Sequence, residues 1–405
     1  MKLIILLLTL KLILNKLLSV VDLNRHGART SYSFPDKSEK IYGSGKMQLT
    51  INGFRQHQIL GEFVNNKYIK QLKFLSSEYN QNNFEAFSSQ TERTIFSATA
   101  FLTGLYPGYK IKVNYDETED FRTDDSFPSS INPLKILEIP VQVITKKKDS
   151  IFHALNCKLE NKSLKETSEC TEKGPIYPIS SEDFKNSCDE LRTFLKITES
   201  EGPKENYDHV KLNYLSDFYT SYVYHMMGKL RGSNISDKTK VILKKEKLNK
   251  WYCERIHDFK KYRLSASNFL DKIYNYFKKS EEAHKKNSED YTKMVLFFGH
   301  DTNFVNLFTN IFKTEFLKEM LNKAIDDEQI YNFLVPPFAS NIFFELHFNE
   351  ETGNYYVEII YNGEYINKGI KYIDDENIKG NMIDFKDFSK LVENIIDKDY
   401  LKLAC

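Results

Sequence analysis

The fold is decided by residues 17–30, which read LLSVVDLNRHGART. Residues 18–23 form a mostly apolar run with paired valines, the pattern of a central strand that other elements cover on both faces. The run ends at the polar Asn24, and a polar loop over 25–30 follows. We therefore predict a buried strand over 17–24 with a polar loop at its carboxyl end.

A second junction of the same kind lies far along the chain. Residues 294–298 are an apolar run, His300 and Asp301 follow it, and residues 302–312 have helical periodicity. In open α/β sheets, ligands bind beyond the carboxyl ends of the strands. The two junctions are therefore expected to face one crevice, although they are distant in sequence.

Other segments continue the alternation of helix and strand. Between about 157 and 250, Lys and Glu become dense and β-branched runs thin out, which predicts amphipathic helices. Elsewhere the patterns predict helices over 49–68 (with Thr50 as N-cap), 94–105 and 265–279, a strand over 85–89, and a hairpin from 342–348 and 355–361.

This order of elements predicts the α/β class. We expect a central mixed, mostly parallel sheet flanked by helices, with an inserted and mostly helical cap domain. The α/β core is placed at 17–155 and 265–405, and the cap insertion at 156–264. A length of 405 residues fits one large domain with an insertion, and 41% hydrophobic residues suffice for a large core.

Residues 1–16 are predicted to be a secretory signal peptide. A basic start precedes an apolar run over 3–10, and polar residues interrupt the stretch from Lys11 onward, so that it is a poor transmembrane span. No Ala-x-Ala pattern marks a cleavage site, and a core helix over 3–14 or an uncleaved anchor are the alternatives.

Two glycosylation acceptor patterns, at Asn161 and Asn234, also favour the secretory route. We expect a secreted or lysosomal protein with no stable membrane span after removal of the signal.

The overall charge excludes one class of partner. The 57 Lys and Arg and the 56 Asp and Glu residues nearly cancel, which leaves a net charge of +1. A nucleic-acid-binding protein would usually show a basic excess, so we expect no nucleic-acid partner. Any affinity for an anion must come from a local cluster of cations.

Arg25, His26, Gly27 and Arg29 form the first group of candidate catalytic residues. Arginine presents a planar fork of donors that matches phosphate oxygens. A histidine among arginines is disfavoured as a cation, so its free imidazole nitrogen can attack a clamped phosphorus atom. Because glycine has no side chain, the backbone at Gly27 can approach an anion closely. These residues predict a phosphate site with His26 as the nucleophile.

His300 and Asp301 supply the complementary chemistry. His300 precedes a predicted helix, whose first N–H groups favour negative charge, and can donate a hydrogen bond to a phosphoryl oxygen. Asp301 can serve as the N-cap and, when protonated, can give its proton to the departing alkoxide. A carboxyl acid serves best at acid pH, which suits a secreted or lysosomal setting.

These motifs resemble a known family. The sequence RHGART is similar to the RHGxRT signature of histidine acid phosphatases, the branch with lysosomal and prostatic acid phosphatases and phytases. The segment after SQTER is similar to the stretch that carries the family's third phosphate-binding arginine, which implies Arg93. The resemblance covers most of the chain and is weakest in the predicted cap. Its further segments lie at 49–61, 89–107, 299–303 and 336–346.

The resemblance implies a two-step hydrolysis of phosphate monoesters with no metal and no cofactor. His26 would attack phosphorus and form phosphohistidine while Asp301 protonates the leaving group. Water would then hydrolyse the intermediate, with Asp301 as the base. The residues implied to stabilise the phosphoryl group are Arg25, Arg29, Arg93 and His300.

Several functional hypotheses stay open. The leading one is an acid phosphatase of broad specificity that acts on small-molecule phosphate monoesters. Asn303 resembles the corresponding residue of some phytases, so an inositol-phosphate phosphatase is an alternative. A phosphomutase relative is disfavoured by the long cap and the signal. An inactive relative that binds phosphorylated ligands is the non-enzymatic alternative, and a homodimer is left open.

Five cysteines are present, and in a secreted protein most should pair. Cys253 resembles half of a family bridge whose partner position is Asn341 here, so its partner stays open and a free buried thiol is one outcome. The disulfide candidates are Cys157 with Cys405, as the resemblance implies, and Cys170 with Cys188 in the cap.

The remaining histidines divide into two groups. His57 lies in a segment that resembles the family, and it either supports the site or is a helix histidine satisfied by backbone groups. The others show no ligand spacing and are interpreted as structural or surface residues; they are His153, His209, His225, His257, His284 and His347.

Overall fold

The computed structural model describes residues 15–33, 45–107, 139–146, 149–152, 175–197, 208–225, 235–257 and 259–396. Most of the predicted signal peptide lies outside these residues, as do Cys157, Cys170, Cys405 and the two glycosylation acceptors. The signal peptide and the disulfide pairs therefore stay predictions. Within the described ranges, no helix is both long enough and apolar enough to cross a membrane.

An eight-stranded mixed sheet forms the centre of the protein. Its strands are β1 (Asn15–Arg25), β2 (Phe84–Ser89), β3 (Gln142–Ile144), β4 (Met294–Gly299), β5 (Asn341–Asn349), β6 (Asn354–Tyr361), β7 (Glu364–Tyr365) and β8 (Ile383–Asp384). Their order is β3-β2-β4-β1-β5-β6-β7, and β8 pairs with β6. Strands β1 to β4 run parallel, whereas β5 to β8 contribute antiparallel pairs. The predicted α/β class and the β5–β6 hairpin are confirmed.

Strand β1 lies in the middle of the sheet because it is apolar on both faces. Val20 packs in a hydrophobic cluster on one side, together with Phe101 and Phe298. The next residue, Val21, packs in the cluster on the other side with Phe297. Successive side chains of a strand point to opposite faces, so a strand that is mostly apolar on both faces requires cover on both.

Helices pack on both faces of the sheet. Thr50 caps the first of them as predicted, since its side chain accepts a hydrogen bond from the Gly53 amide. The helices are α1 (Ile51–Val64, continued by a π-helical turn over Asn65–Gln71), α2 (Glu92–Leu105), α3 (Ser181–Leu195), α4 (Asp208–His225), α5 (Asp237–His257), α6 (Phe259–Lys285), α7 (Asp301–Ile311), α8 (Thr314–Ala324), α9 (Glu328–Leu334) and α10 (Phe385–Ile395).

The segment predicted as a cap contains α3, α4 and α5. Helices α3 and α4 share a small hydrophobic cluster that includes Phe184 and Phe218. The predicted boundary at 264/265 falls inside α6, and the division into core and cap stays a prediction. Near the end of α5, Cys253 is bonded in a disulfide, so the outcome of a free thiol at this position is wrong.

The strand register brings the two predicted junctions together. In the parallel pair of β1 and β4, Arg25 lies opposite Gly299. The His26 amide donates to the Gly299 carbonyl at 3.0 Å, which extends the pairing by one residue beyond β1. The loops that follow the two strands therefore leave the sheet side by side, as expected for the carboxyl ends of neighbouring parallel strands.

Helices α1 and α2 approach each other so closely that the fold requires glycine at their contact. A Cβ atom at Gly61 would lie 1.9 Å from the carbonyl oxygen of Phe101. We expect Gly61→Ala to lower the free energy of unfolding by ~1–3 kcal/mol, because overpacking against backbone outweighs the helix propensity gained. The midpoint of urea unfolding measures the change.

Gly45→Ala is the matched control for this substitution. The nearest atoms to a Cβ atom at Gly45 would lie 3.6 Å away, which is an ordinary contact. Its unfolding midpoint should stay within error of the wild type. Equal midpoints for the two variants would contradict the close helix contact.

Candidate active site

Arg25 joins the two strand ends. Its Nη2 donates to Asp301 Oδ2 at 2.9 Å, and its Nη1 donates to the carbonyl of Pro336. The guanidinium carbon lies 4.3 Å from the centre of the Phe338 ring. Charge-assisted hydrogen bonds and the aromatic face hold this buried side chain in one orientation.

His26 is buried and neutral. Its Nδ1 lies 2.9 Å from the Gly27 carbonyl, and because a carbonyl only accepts, Nδ1 carries the proton. The lone pair is therefore on Nε2. Burial lowers the pKa of His26 most, and the charges of Arg93 and Arg25 lower it further, to well below its usual value. The ring has the protonation state that a nucleophile needs, and the role of His26 as the nucleophile stays a prediction.

Arg29 is held by a residue that the sequence analysis missed. Asp217 of α4 accepts from Nη2 at 2.8 Å and from Nη1 at 3.3 Å. The same carboxylate accepts from the hydroxyl of Ser31 and the amide of Tyr32. Burial favours a raised pKa for Asp217, but attraction by Arg29 and these hydrogen bonds lower it below its usual value. Asp217 is therefore an ionised anchor for Arg29.

Arg93 and His300 lie against each other. Arg93 Nη2 is 3.3 Å from His300 Nδ1, and His300 Nε2 is 3.0 Å from Ser89 Oγ. A guanidinium only donates, so Nδ1 accepts and Nε2 carries the proton. The ring lies 5.6 Å from that of His26. With this tautomer His300 orients Arg93, and a donor role toward a phosphoryl oxygen requires protonation of Nδ1.

The predicted helix cap is wrong by one residue. His300 is the N-cap of α7, and its amide donates to Asn303 Oδ1 at 2.8 Å. Asn303 also donates to the carbonyl of Phe152, which fixes its amide group. Asp301 is instead the first helical residue, so its carboxylate is directed to Arg25 rather than used in capping.

Asp301 is ionised in this site. Burial would raise the pKa of this carboxyl, but the charges of Arg25 and Lys247 outweigh burial and bring the pKa far below its usual value. Its Oδ1 also accepts from the Thr302 amide at 2.8 Å. The proton for a leaving group must therefore reach Asp301 together with the substrate.

Lys247 of α5 is a second residue that the sequence analysis missed. Burial lowers its pKa to about 8, and attraction by Asp301 opposes this effect. Its ammonium lies 4.5 Å from the centre of the Trp251 ring. Helix α5, which lies outside the recognised motifs, thus adds the Lys247 ammonium group to the site.

His57 holds the backbone of Arg25 by a hydrogen bond. Its Nε2 lies 2.9 Å from the Arg25 carbonyl, and because that oxygen only accepts, Nε2 donates. Burial lowers the pKa of His57 to about 4, against the opposing effect of this hydrogen bond. Both alternatives for His57 therefore hold, because the backbone carbonyl to which it donates belongs to Arg25, a residue of the site.

Three buried donors around His26 have no hydrogen-bond partner among the described residues. They are the Nε groups of Arg25, Arg29 and Arg93. Each unsatisfied buried donor costs about 1–3 kcal/mol, and an anion held between the guanidinium groups would satisfy them. Among the described residues, the site contains four cations and two carboxylates. This excess of positive charge suits an oxyanion and disfavours a metal ion; the cations are Arg25, Arg29, Arg93 and Lys247, and the carboxylates are Asp217 and Asp301.

The sequence of this chain is similar to a known family and to named phosphatases. The sequence-family model of the histidine phosphatase superfamily, branch 2, matches residues 24–362. Human prostatic acid phosphatase is 26% identical over 351 residues, which are 84% of this chain and 76% of that protein. Lysosomal acid phosphatase of Xenopus laevis is 25% identical over 357 residues, 84% of this chain and 68% of that protein.

Solved structures show the same fold. The phytase of Citrobacter braakii has a TM-score of 0.57 at 16% identity, over 94% of this chain and 98% of that one. A Klebsiella phytase has a TM-score of 0.57 at 13% identity, over 95% and 97% of the two chains. Together with the family match, which spans most of the sequence, these findings place the chain in the histidine phosphatase superfamily, branch 2.

Proposed function

We propose that this protein is an acid phosphatase that hydrolyses phosphate monoesters through a phosphohistidine intermediate. The observation that carries the proposal is the set of three unsatisfied guanidinium Nε donors around a neutral histidine. A phosphoryl group has the charge and the oxygen geometry to meet these donors. The names of the prostatic and lysosomal relatives support this reading.

In the first step the Nε2 of His26 attacks phosphorus. A P–N bond forms, the ester P–O bond breaks, and the alcohol oxygen departs with the bonding electrons. The Gly27 carbonyl accepts from Nδ1 and stabilises the positive charge that develops on the ring. The arginines hold the phosphoryl oxygens, and Asp301 passes a proton to the leaving oxygen.

In the second step water attacks the phosphohistidine. Asp301 takes the proton of this water, the new P–O bond forms and the P–N bond breaks, which restores neutral His26. An ionised Asp301 is the form that this step needs, and it is the resting form in the structure.

The protonation states of the site explain an acid optimum. His26 stays neutral far below the usual pKa of histidine, so acidification does not remove the nucleophile. The second ionisation of a phosphate monoester has a pKa of about 6, so at acid pH the monoanion brings the proton that Asp301 lacks. As the pH rises, this proton is lost.

A second candidate function is the hydrolysis of inositol phosphates. Lys247 and Lys250 of α5 both interact electrostatically with Asp301 and would attract a second anionic group on the substrate. The ratio of kcat/KM for inositol hexakisphosphate to that for an aryl phosphate distinguishes the two functions. The relatives also support a secretory location, which we include in the proposal.

His26→Ala tests the nucleophile. Without the imidazole no P–N bond can form, so kcat should fall by at least about 10³-fold. Release of phosphate from an aryl phosphate measures the loss, and rapid alkaline quenching should trap phosphohistidine in the wild type alone. His284→Ala, which changes a histidine outside the site, should stay within about twofold of the wild type. Activity that survives in His26→Ala would identify a different nucleophile.

Asp217→Ala tests the anchor of Arg29. An arginine that loses its bidentate partner is misplaced, so kcat/KM should fall on the order of 10–100-fold with a raised KM. Asp217→Asn keeps one acceptor oxygen and should lose less. Asp237→Ala, which removes an exposed carboxylate of α5, is the control. Unchanged kinetics of Asp217→Ala would show that Arg29 does not depend on α4.

Lys247→Met tests the charge that depresses the pKa of Asp301. Removing this cation raises the pKa of Asp301, so the acid holds its proton to higher pH in the substrate complex. An alkyl phosphate has a poor leaving group that needs the proton. With this substrate, the pH at which kcat falls should rise by up to about one pH unit. The limb of kcat/KM, set by ionisation of the free substrate, should not move. Lys244→Met, which removes a cation paired with Glu328, is the control.

A further inference from the structure

Three potential metal ligands meet on the β5–β6 hairpin, away from the active site. Glu345 and His347 are two residues apart on β5, so their side chains lie on the same face of the sheet. Glu358 lies directly opposite Glu345 on β6. One ligand atom of each residue lies within 4.8 Å of the others.

The two carboxylates of this group lie opposite each other in a buried part of the sheet. Glu345 is 2% exposed and Glu358 is 7% exposed, and like charges directly opposite in a sheet repel each other. Lys67 pairs with Oε1 of Glu345 at 2.5 Å, and a cation bound between the two carboxylates would offset their repulsion further.

The two oxygens of Glu345 have different partners. Oε1 accepts from Lys67 Nζ at 2.5 Å and from the hydroxyl of Tyr68. Oε2 faces His347 Nε2 at 3.1 Å. Hydrogen bonds from Lys67 and Tyr68 thus fix Oε1 of Glu345. Such hydrogen bonds from residues outside the ligand set orient the carboxylate ligands of metal sites.

The spacing of the inner atoms matches a tetrahedral ion. His347 Nε2 lies 3.1 Å from Glu345 Oε2 and 3.7 Å from Glu358 Oε2. Ligands of Zn²⁺ at about 2.1 Å in tetrahedral geometry lie about 3.4 Å from each other. We propose that Glu345, His347 and Glu358 bind one divalent transition-metal ion. The ion takes the place of the proton on His347 Nε2, which leaves to solvent.

Access and a fourth ligand come from a cavity. These residues line a cavity of about 820 Å³, which the start of β1 and Lys67 also border. Water can therefore complete the coordination, as in zinc sites with three protein ligands.

This site is separate from the phosphatase chemistry. Glu345 pairs with Val20, which precedes Arg25 by five positions on β1, or about 16 Å of strand. The ion would join β5 to β6 and stabilise the antiparallel half of the sheet. The proposal does not rest on the proposed function, because none of its ligands contacts the guanidinium groups around His26.

Calorimetric titration of the metal-free protein with Zn²⁺ at pH 7.5 tests the proposal. We expect one ion per chain in the wild type and at least about tenfold weaker binding in His347→Gln and in Glu358→Gln. Glu289→Gln changes an exposed carboxylate that borders the same cavity and should bind as the wild type does. Mg²⁺, which prefers oxygen ligands alone, should bind more weakly than Zn²⁺.

The outcomes separate a built site from other binding. Circular dichroism checks that each variant is folded, and Glu358→Gln keeps the test decisive if His347→Gln does not fold. Absence of Zn²⁺ binding to the wild type would overturn the proposal. So would equal affinities of the wild type and both ligand variants, because the ion would then bind elsewhere. A loss in Glu289→Gln as large as in the ligand variants would have the same meaning.

Discussion

The active site depends on the burial of three guanidinium groups beside one neutral imidazole. Like charges so close together repel, and each is therefore tied to its own acceptor: Arg25 to Asp301, Arg29 to Asp217 and Arg93 to His300. Two of these acceptors, His300 and Asp301, are consecutive residues, and the third, Asp217, comes from α4. Each pairing uses the outer nitrogens of the arginine, and the three Nε groups have no hydrogen-bond partner among the described residues. These donors match the oxygens of a phosphoryl group.

The sheet makes this arrangement rigid. Arg25 and Gly299 are register partners in the parallel pair at its centre, so the two catalytic loops begin at fixed positions. The Gly53 backbone contacts the loop so closely that a Cβ atom at Gly27 would lie 2.3 Å from the Gly53 carbonyl oxygen. A loop confined by a helix on one side and a strand on the other cannot shift to relieve charge repulsion. Preorganised donors of this kind need no reorganisation during the reaction.

Local sequence predicts the part of the site that local structure determines. His26, its flanking arginines, His300 and Asp301 follow the carboxyl ends of strands, and the apolar runs that mark those strands are visible in the sequence. Asp217 and Lys247 were missed because two different helices, α4 and α5, bring them to the site, and nothing in the periodicity of either helix marks them. The cap of α7 was misplaced by one residue because both His300 and Asp301 can begin a helix, and only the pull of Arg25 on the carboxylate decides between them. For His347 the linear spacing conceals Glu358, which becomes a neighbour only when the hairpin closes.

The charges of the site reverse one expectation from the sequence. The sequence predicts a carboxyl acid that carries its proton at acid pH, yet Arg25 and Lys247 hold Asp301 ionised, and burial with the arginines holds His26 neutral. The resting site is thus prepared for nucleophilic attack and for the activation of water, and it lacks one proton for the departure of the alcohol. A phosphate monoanion carries that proton, and its binding also neutralises the cations that depress the pKa of Asp301. On this argument, the proposed dependence on acid pH would belong to the complex of enzyme and substrate, and Lys247 of α5 would set its position.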